Sequence, residues 1–218
     1  MRRMMAASLV ILALVALAGC QSGPPTSEEQ VKGYLKQASF KKRAGNLEGS
    51  LNELDLALSI MPDSGSALVR RGTIYAELGD TERAMADFAR ALELNPDNVV
   101  AYVGRGVVRR DNDDLNGSLA DLNRAIELVP NLAEAYFERG RTLALMGRTD
   151  QAIENLSKSI TLNPEFVRSF LWRAYCHMAA KDNERAARDL RHVREYATEP
   201  DLVRRANELL SKIYLNEP

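Results

Sequence analysis

Four arginines recur at one interval and carry the functional groups best placed for chemistry in this sequence. Arg71, Arg105, Arg139 and Arg173 are each separated by 34 residues. A guanidinium presents its donors in a rigid fork, so such a row could bind an anion or form two-point contacts with carboxylates. Sixteen residues after each arginine stands an acid or an amide, and these are Asp87, Asp121, Asn155 and Asp189. The matched spacing favours internal pairs, with an anion site as the alternative.

No catalytic pattern accompanies these arginines. The sequence has no glycine-rich phosphate loop after a strand, no serine in a nucleophile elbow and no Cys–His pair at a useful spacing. His177 and His192 are 15 residues apart without a second pair of ligands, so we expect no metal site. We therefore predict that the chain is not an enzyme and that it holds no cofactor and no metal.

The elements that position the arginines repeat with the same period. Pro62, Pro96, Pro130 and Pro164 are also 34 residues apart, and each follows an apolar run that proline would end if the run were helical. Each interval contains two amphipathic segments of about 13–14 residues with apolar residues at helical spacing. In 34-residue windows that begin at residues 31, 65, 99, 133 and 167, the eighth residue is small enough for two helices to approach closely. These residues are Ala38, Gly72, Gly106, Gly140 and Ala174.

This pattern resembles the tetratricopeptide repeat. The resemblance implies an all-α protein, a right-handed α-solenoid of five helix hairpins plus a C-terminal capping helix. One hairpin cannot bury its own apolar face, so hairpins stack and share a core. The predicted repeats are 31–64, 65–98, 99–132, 133–166 and 167–200. Residues 201–218 are predicted to form the capping helix and a tail, with Thr198 as the helix cap; the alternative is that this helix binds a partner.

The resemblance also implies that the first helix of each hairpin lines the inner, concave side, where a partner peptide or helix would bind. The groove predicted on this basis consists of Val69, Arg70, Thr73, Val103, Val107, Phe137, Arg141, Leu171, Trp172 and Tyr175. Trp172 is the expected anchor, because aromatic residues concentrate binding energy. Among these groove residues, the fifth place of each 34-residue window is apolar and holds Val69, Val103, Phe137 and Leu171. The alternative role for this apolar column is packing between repeats. The Lys and Asn that other members of the family use to clamp a C-terminal carboxylate do not occur at the matching places.

Two further features have alternative interpretations. Arg185, Arg188 and Arg191 form a stripe at three-residue spacing, interleaved with acids, which is either a solvated face or a secondary surface for an anionic partner. Cys176 stands in a column that is mostly apolar, which predicts a buried, inert thiol rather than a nucleophile.

The N-terminus has the features of a targeting segment. Arg2 and Arg3 precede an uncharged apolar stretch that is shorter than the roughly 20 residues of a membrane-spanning helix. The stretch ends Leu-Ala-Gly-Cys at Cys20, which resembles the lipobox of bacterial lipoproteins. The resemblance implies a signal peptide over 1–19, palmitate or another acyl chain on Cys20 and a flexible tether over 20–30. The alternative is an ordinary secretory signal with an incidental cysteine.

These observations predict a membrane-anchored scaffold of the bacterial cell envelope that binds envelope proteins or peptide segments. Because Gln and not Asp follows Cys20, the expected location in a Gram-negative host is the outer membrane, facing the periplasm. A formal net charge of −1 argues against nucleic acid as a partner. The family resemblance includes repeat lipoproteins that assist pilus assembly, secretion or cell-wall hydrolases. The alternatives are a chaperone-like holder of client proteins and, more distantly, an envelope enzyme.

Overall fold

The structure, a computed structural model, describes residues 24–215, and there the chain is all-helical without a strand. Its helices are α1 Ser27–Arg43, α2 Leu47–Ile60, α3 Gly65–Glu77, α4 Thr81–Leu94, α5 Val99–Asp111, α6 Leu115–Leu128, α7 Ala133–Leu145, α8 Thr149–Leu162, α9 Val167–Ala179, α10 Asn183–Tyr196 and α11 Pro200–Leu215. The predicted signal peptide and Cys20 lie outside the described residues, as does the tail at 216–218.

The chain forms two compact units, Met1–Ser64 and Gly65–Pro218. In the described part of the first unit, α1 packs against α2 as a single hairpin. The second unit contains four hairpins, α3–α4, α5–α6, α7–α8 and α9–α10, and ends with α11 packed against α10. Within this unit each second helix also packs on the first helix of the next hairpin. Within residues 65–218 the predicted stacking of hairpins and the terminal helix are confirmed.

Small residues at the predicted crossing points allow the two helices of a hairpin to approach closely. A Cβ added to Gly140 would lie 2.8 Å from Cγ of Leu156, and one added to Gly106 would lie 3.1 Å from Cγ of Leu122. The facing alanine on the second helix, Ala152 in the fourth hairpin, is fully buried. The apolar cores of these hairpins therefore depend on backbone-to-side-chain contact that a larger residue would push apart.

The recurring arginines pair with the acids sixteen residues later, as predicted. In three hairpins Nε and Nη2 of the arginine donate to the two carboxylate oxygens of one aspartate at 2.7–2.9 Å. These pairs are Arg71–Asp87, Arg105–Asp121 and Arg173–Asp189. The carboxylates are at least 90% buried, so each clamp joins the two helices of its hairpin where water is largely excluded.

The same arginines also connect successive hairpins. Nη1 of Arg139 donates to Oδ1 of Asn123 at 2.9 Å, and Nη1 of Arg173 donates to Oγ of Ser157 at 3.0 Å. Both acceptors lie on the second helix of the preceding hairpin. Arg139 meets an amide in its own hairpin, and its Nε donates to Oδ1 of Asn155 at 2.8 Å. The arginine column therefore has a structural role within and between hairpins.

The turn inside each hairpin uses the left-handed backbone conformation whether or not glycine is available. Gly45, Gly79 and Gly147 have φ between 73° and 77°. Asp113 and Lys181 occupy the same place in the third and fifth hairpins with φ of 63° and 60°. A side chain in this region costs free energy that glycine avoids.

Two helix starts differ from the prediction. α1 begins at Ser27, inside the predicted tether, because Thr26 and Glu29 form a reciprocal capping box whose two hydrogen bonds stabilise the first turn. α11 begins at Pro200, where proline suits the first helical position. The hydroxyl of Thr198 donates to the carboxylate of Glu199 at 3.2 Å, so the prediction of Thr198 as the cap was wrong.

We predict that Arg173→Leu lowers the free energy of unfolding by about 2–3 kcal/mol, because it leaves Asp189 buried without its guanidinium. Arg105→Leu should cost about half as much, since Nη1 of Arg109 also donates to Asp121 at 2.8 Å. Urea unfolding followed by circular dichroism measures both values. The control is Arg124→Leu, which removes exposed pairs with Asp97 and Glu127 and should leave the free energy of unfolding nearly unchanged. Equal effects for all three variants would contradict the clamp.

Lys181→Gly should raise the free energy of unfolding by about 0.5–1 kcal/mol, because glycine relieves the strain of the left-handed turn. The side chain of Lys181 is exposed, so little packing is lost. Lys181→Ala keeps the Cβ and is the matched control, for which we expect no gain. A thermal scan in which alanine stabilises as much as glycine would show that the strain argument is incorrect.

Candidate functional site

Two aromatic side chains on α9 form the centre of the candidate site. Trp172 and Tyr175 are one helical turn apart, their ring centroids are 5.7 Å apart in an edge-on arrangement, and both are half-buried. One side of Trp172 packs against the core cluster that contains Phe137 and Cys176. The pair is therefore held in place from below while part of each ring stays accessible.

Arg141 of α7 lies against this pair. The carbon at the centre of its guanidinium is 4.8 Å from the centroid of Trp172 and 5.5 Å from that of Phe137. Its Nη1 donates to the carboxylate of Glu138 at 3.1 Å, and the buried Arg110 donates to the same carboxylate. Desolvation lowers the pKa of Arg141, with the Glu138 charge opposing this, and an arginine so placed stays cationic at physiological pH. Such a cation over an indole is a favourable cation–π contact.

Arg205 of α11 contacts the other ring of the pair, that of Tyr175. Its Nε donates to the hydroxyl of Tyr175 at 2.6 Å, and its guanidinium carbon is 5.7 Å from the tyrosine ring centroid. The hydrogen bond with Tyr175 is the main cause that raises the pKa of Arg205. The helix predicted as a cap therefore also contributes a side chain to the aromatic pair.

An open pocket of about 410 Å³ lies between α7, the start of α8, α9 and α11. We call it the Trp172 pocket, and its principal lining residues are Ala144, Leu145, Thr149, Trp172, Tyr175 and Arg205. Among the described residues that line it, Arg205 is the only charged one. The volume falls in the range of about 300–1,000 Å³ that is typical of small-ligand sites.

The apolar column of the predicted groove is buried. Val69 is 7% exposed, Val103 6%, Phe137 3% and Leu171 6%. These side chains pack between helices, which is the alternative that the sequence analysis left open. The prediction that this column forms a floor open to a partner is therefore corrected. The physical reason is that a helix in the middle of a stack has apolar contacts on more than one side.

The other predicted groove residues are spread along several helices. Arg70 is exposed on α3, while Thr73 is half-buried and its hydroxyl donates to the carbonyl of Val69 at 2.8 Å. Val107 is half-buried on α5. The structure thus places Trp172 and Tyr175 in the lining of one pocket, and Arg141 contacts the ring of Trp172 without lining that pocket. The remaining residues stay predictions.

The secondary arginine surface lies on α10, where Arg185, Arg188 and Arg191 are exposed. Arg185 is 3.4 Å from Asp182 and Arg188 is 3.3 Å from Glu184, while Arg191 donates to the hydroxyl of Tyr214 at 2.9 Å. Each arginine thus has a neighbour on its own or the next helix, and the contacts with acids are long and exposed, which makes them weak.

The cysteine and histidine residues have packing roles in the described structure. Cys176 is 3% exposed, and burial raises the pKa of its thiol to about 11, which confirms the prediction of a buried thiol. Desolvation is the main cause that lowers the pKa of His177, and His192 stacks on Phe170 at 3.8 Å. Within residues 24–215 no three His, Cys, Asp or Glu side chains are grouped so that they could hold a metal ion. None of the helices described there has the length and apolar content to cross a membrane.

Sequence reasoning missed Arg205 because this residue lies outside the 34-residue register. Column-by-column comparison assigns roles only to places that recur, and α11 has no counterpart in the preceding repeats. The available signal was the helical spacing of α11, which places Arg205 one residue before the buried Ala206 and so at the edge of the face packed on the stack.

Comparison with known proteins supports the repeat assignment. Residues 65–98 and 133–166 each match the family model of the tetratricopeptide repeat, so the second and fourth hairpins are repeats of this type. The comparison with curated proteins gave no match. The matched segments begin and end where the sequence analysis placed these two repeats.

Solved structures share the fold. The tetratricopeptide repeat protein TTC0263 of Thermus thermophilus is 19% identical, with 83% of this chain and 99% of that chain covered and a TM-score of 0.75. For pilF of Pseudomonas aeruginosa the identity is 19%, the coverage 88% and 95%, and the TM-score 0.68. YrrB, a TPR protein with an unusual peptide-binding site, is 22% identical, with 84% of this chain and 100% of that chain covered and a TM-score of 0.59. The all-α tetratricopeptide fold is thus confirmed.

We predict that Cys176 in the native chain reacts with iodoacetamide at pH 8 about a hundredfold more slowly than in the urea-unfolded chain, because its raised pKa leaves little thiolate. Mass spectrometry of tryptic peptides measures the labelling of Cys176. Equal rates in the two states would mean that the thiol is accessible and ionised, contrary to its burial.

Proposed function

We propose that the protein is a membrane-anchored interaction scaffold of the bacterial cell envelope, which binds a peptide or helix of a partner protein at Trp172. Tetratricopeptide repeats are protein-interaction modules, and no catalytic family matches the chain. The single observation that supports this site best is the half-buried Trp172–Tyr175 pair beside an open pocket. Aromatic side chains of this kind bury much apolar area at little entropic cost.

The anchor is proposed on sequence grounds. Cys20 directly follows an uncharged apolar stretch in the pattern of a lipobox. Two acyl chains hold a protein on a membrane stably where one is marginal, since each buried CH₂ contributes about 0.8 kcal/mol. A lipid at Cys20 would place the repeats next to the membrane, on its periplasmic face if the host is Gram-negative. Partners in the same layer would then meet the pocket at a high local concentration.

The likeness to YrrB supports the binding of a polypeptide rather than of a small metabolite. YrrB shares the fold and is described as having a peptide-binding site. Here the accessible aromatic surface lies on α9, and helices α7 and α11 each supply an arginine that contacts one of its two rings. A peptide segment could span these helices, because helices in contact are spaced by about 8–10 Å.

Trp172→Ala should abolish crosslinking to the partner in native membranes while leaving the helical circular dichroism unchanged at growth temperature. The reason is that truncating a central aromatic anchor typically costs about 2 kcal/mol or more, which is about thirtyfold in affinity. Crosslinking followed by mass spectrometry identifies the partner and measures its loss.

The matched control is Phe40→Ala, which removes an aromatic side chain that is 68% exposed on α1. It should leave the crosslinks unchanged. If Trp172→Ala keeps the partner and Arg188→Ser loses it, the binding surface is the arginine stripe on α10 and the proposal for Trp172 is wrong.

A further inference from the structure

We infer that the Trp172 pocket takes an apolar side chain of the partner and that Arg205 binds a carboxylate beside that side chain. The inference rests on the proposed function, because it names the chemistry of the segment that the pocket accepts. It gives α11 a second role, so that the helix covers the end of the stack and also supplies the charge that selects the ligand.

The walls of the Trp172 pocket are mostly apolar. Ala144 and Leu145 at the end of α7 face Trp172 and Ala179 of α9 across it, which makes most of the surface apolar. Leu145 is 55% exposed, so its aliphatic side chain is accessible at the pocket. An apolar side chain of a partner would bury both residues, and the gain is about 25 cal/mol for each Å² removed from water.

The lining of the Trp172 pocket carries a positive charge. Among the lining residues Arg205 is the only charged one, and no carboxylate of the described chain lines the pocket. Burial raises the pKa of the Cys176 thiol in the lining to about 11, so this thiol stays neutral at physiological pH. A ligand in this pocket therefore meets a cation whose acidic neighbour Glu208 lies outside the lining, and a carboxylate of the ligand complements that cation.

The guanidinium of Arg205 is available to bind a carboxylate of a ligand. Its Nε is fixed by the tyrosine hydroxyl at 2.6 Å, which orients the guanidinium. Its Nη1 contacts Glu208 at 3.3 Å, and Glu208 is shared with Arg204 at 3.4 Å. Both contacts are long and their side chains are exposed, so they contribute little. A carboxylate brought by a partner can replace Glu208 at small cost.

Arg141 contacts Trp172 but does not line the pocket, so it is a poorer candidate for this role. It already contacts Glu138 and lies over two aromatic rings. Arg205 is thus the residue that gives the pocket its preference for acidic ligands.

The test uses the fluorescence of Trp172, the only tryptophan of the chain, as a report of pocket occupancy. The full chain is kept in dodecyl maltoside and titrated with three probes: acetyl-Phe-Glu-amide, acetyl-Phe with a free carboxylate, and the neutral acetyl-Phe-Gln-amide. Phenylalanine is not excited at the wavelength used for tryptophan. We expect the better acidic probe to bind about five- to tenfold more tightly than the neutral one, as for an exposed charge-assisted hydrogen bond. The order of the two acidic probes tells whether the carboxylate belongs to a side chain or to a chain end.

The variants separate charge from packing. Arg205→Gln should reduce the difference between acidic and neutral probes to less than about twofold, and Arg205→Lys should keep most of it, because the charge remains. Arg204→Gln is the matched control on the same helix, since Arg204 also contacts Glu208 but does not line the pocket. Circular dichroism verifies that each variant is folded.

Equal binding of acidic and neutral probes to the unchanged chain, or no binding of any probe, would overturn the inference. Either result leaves the proposed function intact if Trp172→Ala still abolishes the crosslinked partner. Conversely, a partner that survives Trp172→Ala would remove the premise and the inference together.

Discussion

A hairpin of two amphipathic helices has apolar residues on more sides than it can cover alone, and this constraint shapes the whole unit of residues 65–218. Each second helix packs on the first helix of the next hairpin, so the stack continues until an element with a polar outer face ends it. Helix α11 meets this need because its buried residues, Ala206, Leu209, Leu210 and Ile213, lie on one side. The other side carries charged residues.

The arginine column solves a second problem that stacking creates. Two hairpins with similar apolar faces could slide past each other, because hydrophobic contact has no direction. Hydrogen bonds do have direction, and Arg173 holds Asp189 in its own hairpin and Ser157 in the preceding one. The clamp therefore fixes the register of the stack. Since these arginines are engaged internally, the selective chemistry of the molecule has to come from other side chains.

The sequence predicted the parts of the structure that recur. Helix pairs and the arginine pairs each depend on a residue type at a fixed place, and repetition makes such places visible. Asp113 and Lys181 show that the turn persists even where glycine is lacking, because the surrounding packing outweighs a local cost. The open floor of the groove was a wrong prediction, since the pattern of apolar residues cannot tell a side chain that faces solvent from one such as Val103 that a neighbouring helix covers. Arg205 could not be found by its column, because it has none.

A residue outside the repeating columns, such as Arg205, can give a repeat protein a selectivity that the repeated positions cannot. A surface built only from equivalent repeats offers similar positions several times over, and a ligand that fits one of them would have comparable affinity for the others. Discrimination between sites requires a contact that occurs once. In this chain the period breaks at the fifth hairpin, where proline comes two residues late and α11 follows. The break places Arg205 against Tyr175, next to the only tryptophan, and so creates a combination of side chains that the preceding hairpins do not contain. A helix that ends a stack is therefore also the element best able to give it one distinct binding site.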